Sequence, residues 1–236
     1  MQDKIYIPPV RPSLELVFQA IKELAERNGG EPLKILEVGC GVKSTLHAFL
    51  TENNIPFILH GLDIDDYALE NSLMDEVLIA SAEKIPSPDN CYDIVFSLWV
   101  LEHIKDSTSA LQEMSRVCRA GGMVAAVYPN SYSPEGVLTR LTPYEFHIWV
   151  RKHISKHKAA QRHTFGTYFS FGRTANVKKI LLDSGMKNIE AHFFAELYYR
   201  FRAHYILGSI IVWYCRLISM LNISLFMSPV VIIAIK

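Results

Sequence analysis

The stretch ILEVGCGVKST, residues 35–45, decides the fold: an apolar strand carries an acid at Glu37 and ends in two glycines one residue apart. Because glycine has no Cβ, Gly39 and Gly41 permit unusual backbone angles and let a ligand approach the main chain closely. In an open parallel sheet, such a turn lies at the carboxyl end of the first strand, where ligands bind. Lys43 stands where nucleotide-binding loops usually carry a third glycine. The stretch is therefore either a ligand-binding loop with one changed position or a tight turn rich in glycine.

Short apolar runs alternate with helical patterns outward from this stretch. The alternation of strand and helix predicts right-handed crossovers and an α/β fold, with a doubly wound, mostly parallel sheet of seven strands and helices on both faces. The predicted strands are 33–38, 56–62, 76–79, 92–98, 123–128, 188–194 and the C-terminal PVVIIAIK, and the predicted helices are 13–27, 44–52, 66–73, 107–118 and 174–184.

The composition supports one sizeable core. Half of the 236 residues are hydrophobic and a fifth are charged, so we predict a single domain over 1–236. Within it we expect an N-terminal helical segment (1–30), an insertion on the acceptor side (131–171) and an apolar helical insertion before the last strand (198–228).

Charge and cysteine content exclude several classes of protein. The counts of Lys plus Arg and of Asp plus Glu are equal, at 24 each. The chain therefore has no net positive charge that would attract nucleic acid. The four cysteines are scattered without C-x-x-C spacing, which predicts neither a metal site nor a disulfide framework. The first residues lack the pattern of a secretory leader, so we expect a cytoplasmic protein.

A carboxylate follows the second strand. Asp63 in HGLDID comes about two dozen residues after Gly39, the spacing at which an acid can hold the hydroxyls of a ribose over a glycine turn. Asp63 could instead cap a helix, although Asp65 or Asp66 could fill that position equally well.

Four motifs in order resemble the class I S-adenosylmethionine-dependent methyltransferases, in the small-molecule branch that includes ubiquinone and sugar methyltransferases. They are ILEVGCG, GLDID, ASAEKIPSPDNCYDIVFSLWVLEHI and ALQEMSRVCRAGGMVAAVYPN. The resemblance covers residues 33–130 and extends more loosely over 160–194. It implies a Rossmann-like methyltransferase fold and S-adenosylmethionine as the cofactor.

The resemblance also assigns a site, in which the glycine turn lies beside the methionine part of the cofactor. Family members often have an acid where this chain has Ser81, so adenine recognition is expected to depend more on the backbone. The third glycine of such loops serves mainly helix–strand packing, so its replacement by Lys43 is compatible with a cofactor loop. The assigned residues are Glu37, Gly39, Cys40 and Gly41 in the turn, Asp63 at the ribose, Ile64 on the adenine, Ser81, Ala82 and Glu83 at the adenine edge, and Ser97, Leu98 and Trp99 near the sulfonium.

Two histidines are candidate general bases for a hydroxyl acceptor. His103 follows the fourth strand by one turn, but it could equally pack or cap the next helix. His163 could be a solvated surface residue. Glu102 could orient His103 or face water, and Tyr168 could border an acceptor pocket or serve packing.

Two segments of the sequence are relevant to the identity of the methyl acceptor. Residues 147–163 carry five basic residues and no acid, which fits either a solvated face or binding of phosphate or anionic headgroups. In 198–228 the uncharged run is too short to span a bilayer. Arg202, Ser209 and Arg216 form a narrow polar stripe there, so the helix could lie in a membrane interface, or pack on the sheet or on a second subunit as a homodimer.

These features favour methyl transfer to a small-molecule, lipid-linked or glycan acceptor, at oxygen. The alternatives are a quinone-type carbon or oxygen methyltransferase and a non-catalytic cofactor-binding module, the latter because Lys43 and Ser81 depart from the common pattern. Nucleic-acid methylation is disfavoured, because SLWV stands where an N-P-P-Y or D-P-P-Y motif is expected after the fourth strand.

Overall fold

The computed structural model describes residues 11–142, 165–201 and 205–236. Short 3₁₀ helices cover Asp66–Glu70, Leu101–His103 and Ser224–Phe226. The strands are β1 (Leu33–Val38), β2 (Phe57–Asp63), β3 (Glu76–Ile79), β4 (Tyr92–Leu98), β5 (Cys118–Tyr128), β6 (Lys187–Phe193) and β7 (Val230–Ile235), and the helices are α1 (Pro12–Arg27), α2 (Thr45–Glu52), α3 (Ser107–Val117), α4 (Pro134–Leu141), α5 (Thr174–Asp183), α6 (Tyr198–Phe201) and α7 (Tyr205–Met220).

The strands form one sheet in the order β3-β2-β1-β4-β5-β7-β6. Strands β1 to β5 are parallel, and β7 runs antiparallel to both β5 and β6. The prediction of a doubly wound, mostly parallel sheet with seven strands is confirmed. The order reverses between β1 and β4, so the carboxyl ends of these two strands flank the point where ligands bind in such sheets.

Apolar side chains cover both faces of the sheet. Ile35 of β1 belongs to the cluster that packs α1 and α2, whereas its neighbour Leu36 belongs to the cluster that packs α3 and α5. Successive residues of a strand point to opposite faces, so a strand that is buried on both sides reads as a continuous apolar run. This explains why the strands could be predicted although their sequences do not alternate between apolar and polar residues.

Strand β5 begins earlier than predicted, directly after α3. Tyr92 pairs with Cys118, and the register then shifts so that Ile94 pairs with Met123. The extra residues form an irregularity in which Gly121 has φ +75°. The glycines after Arg119 therefore mark a bulge within the strand and not a loop before it.

Two helical elements differ from expectation. The predicted helix at 66–73 is a 3₁₀ helix that ends at Glu70, with Asp65 accepting a hydrogen bond from Tyr67 N. Helix α4 was not predicted within 131–171, although Ser133 caps it through Gly136 N and Pro134 occupies its first turn.

The described residues of the segment 198–228 are 198–201 and 205–228. They contain α6, α7 and the last 3₁₀ helix before β7. Among the residues that the structure describes, no helix combines the length and the apolar character needed to cross a bilayer. The basic stretch 147–163, including His163, lies outside the described residues, as does Arg202.

Candidate functional site

The glycine turn and Asp63 are neighbours at the carboxyl edge of the sheet. Val38 of β1 pairs with Leu62 of β2, and Gly39 N donates to Leu62 O at 2.7 Å. One carboxylate oxygen of Asp63, Oδ2, accepts from Gly41 N at 2.9 Å. The spacing argument therefore identified two groups that are in direct contact.

The two glycines differ in their surroundings. Both have positive φ, +72° at Gly39 and +47° at Gly41. A Cβ built on Gly39 would overlap Val100 Cγ2, whereas a Cβ on Gly41 would meet nothing within 4 Å. Gly39 is therefore required by packing, and Gly41 leaves an open approach to the backbone.

Asn71 fixes the turn from the far side, and sequence reasoning missed it. Its side chain is buried, and Nδ2 donates to Gly41 O at 2.9 Å while Oδ1 accepts from Leu73 N at 3.1 Å. A single asparagine after a short helical pattern carries no recognisable signal, because its partner is thirty residues away.

Lys43 lies in the loop before α2 and is exposed, so the missing third glycine removes no helix–strand contact. Ser44 is the N-cap of α2 and accepts from His47 N at 2.9 Å. The Ser44 hydroxyl also donates to Glu37 Oε2 at 2.5 Å. Glu37 thus joins the end of β1 to the start of α2.

Burial controls the charge of two groups in the turn. Burial raises the pKa of Glu37 to about 7, and the Ser44 hydrogen bond opposes that rise. Burial, with the nearby Asp63 and Glu37 carboxylates, raises the pKa of the Cys40 thiol to about 12. Cys40 therefore stays protonated at neutral pH, and its sulfur is a packing group against Gly61.

The ligand-free protein is expected to lose stability as pH rises from about 4.5 to about 7. The folded-state pKa of Glu37 lies above the ordinary glutamate value of 4.5, so the stabilisation by its neutral form is complete below pH 4.5 and is lost by about pH 7. At 1.36 kcal/mol per pKa unit the loss is at most about 3 kcal/mol. Glu37→Gln is expected to flatten this part of the profile, measured as the free energy of unfolding in urea at a series of pH values.

Glu52→Gln, at an exposed position at the end of α2, is the matched control and should keep the wild-type profile. Parallel profiles for wild type and Glu37→Gln would show that Glu37 ionises in the folded protein as it does in the unfolded chain.

The residues that were predicted to contact the adenine ring lie beside Asp63. Ile64 is an apolar side chain that is 66% exposed. Ser81 follows β3, and its hydroxyl accepts from Glu83 N at 3.2 Å. The Glu83 carboxylate accepts from Asp106 N at 2.9 Å, so it holds the segment before α3, and Ala82 packs against the core.

The end of β4 departs from expectation at Ser97. This side chain is fully buried, so in this structure it does not reach the groove that it was predicted to line. Leu98 and Trp99 are partly buried. Trp99 has φ +58°, a strained conformation for a bulky residue that is typical of functional sites. The Arg11 guanidinium lies 5.7 Å from the Trp99 ring centroid.

His103 connects the rim of the site to residues 165–170. Its Nδ1 is 2.9 Å from Gly166 O, and because a carbonyl oxygen can only accept, Nδ1 is the donor in this hydrogen bond. Glu102 Oε1 lies 3.9 Å from Nε2. Tyr168 is exposed, with the Lys105 ammonium 5.7 Å from its ring centroid.

A cavity of about 430 Å³ lies at the same edge of the sheet, between the end of β6, the start of α1, and α7. Its lining includes Phe193, Phe194, Glu196, Arg216 and Ser219. Sequence reasoning did not predict it, because it depends on segments far apart in the chain.

Glu196 joins two walls of this cavity. Its carboxylate accepts from Ser13 N at 2.7 Å and from Ser13 Oγ at 2.8 Å, across 183 residues of sequence. Burial raises the pKa of Glu196, and the Ser13 hydrogen bonds and Arg11 oppose that rise. Arg11 also lies 5.2 Å from the Tyr199 ring centroid. Arg11 therefore lies between Trp99 and Tyr199 of α6.

Known proteins are similar to this chain in sequence and in fold. A family model described as a methyltransferase domain matches residues 36–126. An uncharacterized methyltransferase of Schizosaccharomyces pombe is 31% identical over 128 residues, which is 44% of this chain and 46% of that protein. The ubiquinone/menaquinone biosynthesis C-methyltransferase UbiE of Neisseria meningitidis serogroup C is 26% identical over 151 residues, 61% of this chain and 58% of that protein. The matched region thus spans about half the length of these two relatives.

The solved structures extend the likeness to the whole fold. The crystal structure of a SAM-dependent methyltransferase from Archaeoglobus fulgidus superposes with a TM-score of 0.56 at 18% identity, covering 94% of each chain. Residues 36–126 match a methyltransferase domain, and the chain shares its fold with a solved SAM-dependent methyltransferase.

Proposed function

We propose that the chain transfers the methyl group of S-adenosylmethionine to the oxygen of a small, amphiphilic acceptor, and that it does so as one domain. The observation that carries this proposal is the direct contact between the Asp63 carboxylate and Gly41 N, at 2.9 Å, at the carboxyl edge of the sheet. This contact places a carboxylate next to the glycine turn, at the position where the family binds its cofactor.

The residues present fit S-adenosylmethionine. Asp63 would hold the ribose, the exposed Ile64 would pack on the adenine, and the Gly39–Gly41 turn would face the methionine part. Glu37 is buried beside the turn, where it can act on a cationic amino group directly or through water. The backbone of Ser81 and Ala82 would contact the adenine edge, and Leu98 would line the pocket near the sulfonium. When bound, the cofactor supplies a methyl group on a sulfonium, which a nucleophile can attack in line.

The chain's own task is to align an acceptor and to exclude water. Positioning of this kind contributes on the order of 7 to 11 kcal/mol. A hydroxyl acceptor also needs a proton acceptor, which adds about 100-fold or more. His103 fits that role by residue type and position, since it follows β4 and its Nδ1 donates to Gly166 O. His163 remains a second predicted base.

The cavity supports an acceptor with an apolar part, such as a lipid-linked molecule. About 430 Å³ is within the range of small-molecule sites. Aromatic side chains form part of its wall, and Arg216 supplies a positive charge. For 198–228 we favour peripheral membrane contact over a homodimer, since the segment contains arginines and no acid.

A quinone-type carbon or oxygen methyltransferase is the second candidate. It is favoured by the similarity to UbiE, whose name describes a C-methyltransferase of ubiquinone and menaquinone biosynthesis. A prenylated quinone precursor also has a polar ring and an apolar tail, so the cavity suits either candidate. The position of the new methyl group separates them.

Purified protein should transfer labelled methyl groups to hydroxylated aromatic acceptors, and a prenyl or alkyl tail should lower the acceptor KM by about 10-fold or more. Ser219→Trp, which narrows the cavity, is expected to raise KM for tailed acceptors only. Ser209→Trp, on the same helix but outside the cavity lining, is the control. NMR of the product distinguishes oxygen from carbon methylation. Cofactor binding without transfer to any acceptor would favour a non-catalytic module.

A further inference from the structure

The outer side of α7 is apolar and exposed. Trp213 is 73% exposed and Met220 is 76% exposed. Exposed residues at helical spacing continue into the following turn and form what we call the α7 face: Ile210, Trp213, Leu217, Met220, Leu221, Leu225 and Phe226.

The inner side of α7 is already packed. Ile211, Cys215 and Ile218 are buried, and they recur at a spacing of three to four residues, which places them on the opposite side of the helix. The orientation of α7 on the domain is therefore fixed by these contacts, and the α7 face is not needed to hold the helix in place. Single exposed apolar residues need no explanation, whereas a contiguous patch of this kind marks an interaction surface.

The charge at the border of the face identifies its partner. Arg216 is the one charged residue in the sequence of α7, and no Asp or Glu follows residue 196. Arg216 is exposed and lies one turn or less from Trp213 and Leu217 on α7. An exposed tryptophan among aliphatic residues, with a cation at the border, matches the boundary between lipid headgroups and acyl chains.

Two other arrangements fit less well. A second copy packed on this face would bring two arginines together with no carboxylate in the segment to pair with them. A bilayer-spanning orientation is excluded for α7 by length, since its 16 residues extend about 24 Å and a span needs about 20 residues.

We propose that the α7 face docks on the surface of an anionic bilayer, with α7 lying in the membrane plane and Arg216 directed toward the headgroups. Docking does not depend on methyl transfer. Arg216 and Ser219 also line the cavity, so docking would place the cavity mouth beside the headgroups. This last consequence rests on the proposed function.

The test is co-sedimentation of the full chain with vesicles of phosphatidylcholine alone or of phosphatidylcholine and phosphatidylglycerol at roughly 3:1. We expect binding to the anionic vesicles, and a loss of about 10-fold or more in the partition coefficient for Trp213→Glu, because it places a charge in the apolar face. Arg216→Glu should lower binding to anionic vesicles selectively, and Arg216→Lys should retain it.

Leu182→Glu on α5 is the matched control, since Leu182 is 63% exposed and lies outside the α7 face. It should bind vesicles as wild type does. Thermal unfolding confirms that each variant is folded, and binding of S-adenosylmethionine is measured separately, so that failure to dock is distinguished from failure of the cofactor site. Wild-type protein that stays in the supernatant overturns the proposal. So does a wild-type dimer that Trp213→Glu converts to a monomer, because the face would then join two copies.

Discussion

Replacing Asp63 by alanine is expected to lower the affinity for S-adenosylmethionine by about 100-fold or more. A carboxylate that accepts from two ribose hydroxyls contributes roughly 3 kcal/mol, and each 1.4 kcal/mol is a factor of ten in the dissociation constant. The variant also leaves Gly41 N without the oxygen that holds it at 2.9 Å. The turn therefore loses its tether as well as the ribose ligand.

Two further variants separate these effects. Asp63→Asn keeps an oxygen that can accept from Gly41 N but removes the charge, so its affinity should fall between those of wild type and Asp63→Ala. Asp66→Ala removes an exposed carboxylate three residues away and should leave affinity unchanged. Isothermal titration measures the dissociation constants, and thermal unfolding checks the fold. A folded Asp63→Ala protein with wild-type affinity would rule out Asp63 as the ribose ligand.

The sheet could be predicted closely, because its strands are buried on both faces and appear as apolar runs between helical patterns. β1, β3 and β4 begin and end where the sequence indicated. The predicted bounds and types of elements were wrong where the sequence has no periodic pattern of apolar residues. The predicted strand 123–128 misses the first residues of β5, which contain two glycines, and 66–70 is too short for a helical period to distinguish a 3₁₀ from an α-helix.

The contact between Asp63 and Gly41 could be predicted for a geometric reason. Parallel neighbouring strands end at the same edge, so residues that follow β1 and β2 must lie together whatever their separation in sequence. Ser97 shows the limit of this reasoning. It is also near a strand end, but its side chain is fully buried, and by strand alternation it shares with Val95 the side of the sheet that packs α3 and α5.

The walls of the site could not be predicted in this way. Asn71, Ser13 and Glu196 act through hydrogen bonds to partners that no local pattern specifies. Ser13 lies in the first turn of α1, Asn71 and Glu196 lie in segments of irregular structure, and only the folded chain pairs them with their partners. The cavity beside α7 depends on the same kind of contact.

The two glycines of the turn are expected to respond differently to alanine. Gly39→Ala combines a left-handed φ of +72° with overlap against Val100 Cγ2, so it should reduce the free energy of unfolding by about 2 to 4 kcal/mol. Gly41→Ala has the φ cost alone, about 1 kcal/mol. Its methyl group would extend into the open space over the turn, so it should weaken cofactor affinity more than it weakens the fold.

The nearest atoms to a Cβ on Gly39 all belong to the Val100 side chain, so Val100 can test the cause. Val100→Ala removes Cγ1 and Cγ2, and the double variant Gly39→Ala/Val100→Ala should recover about 1 to 3 kcal/mol relative to the sum of the single effects. The loss of unfolding free energy that comes from the positive φ of +72° should remain in the double variant. Urea unfolding of the four proteins gives the coupling energy directly. Additive effects would show that the turn moves to accommodate the methyl group, and Gly39 would then be needed for its backbone angles and not for its contact with the loop after β4.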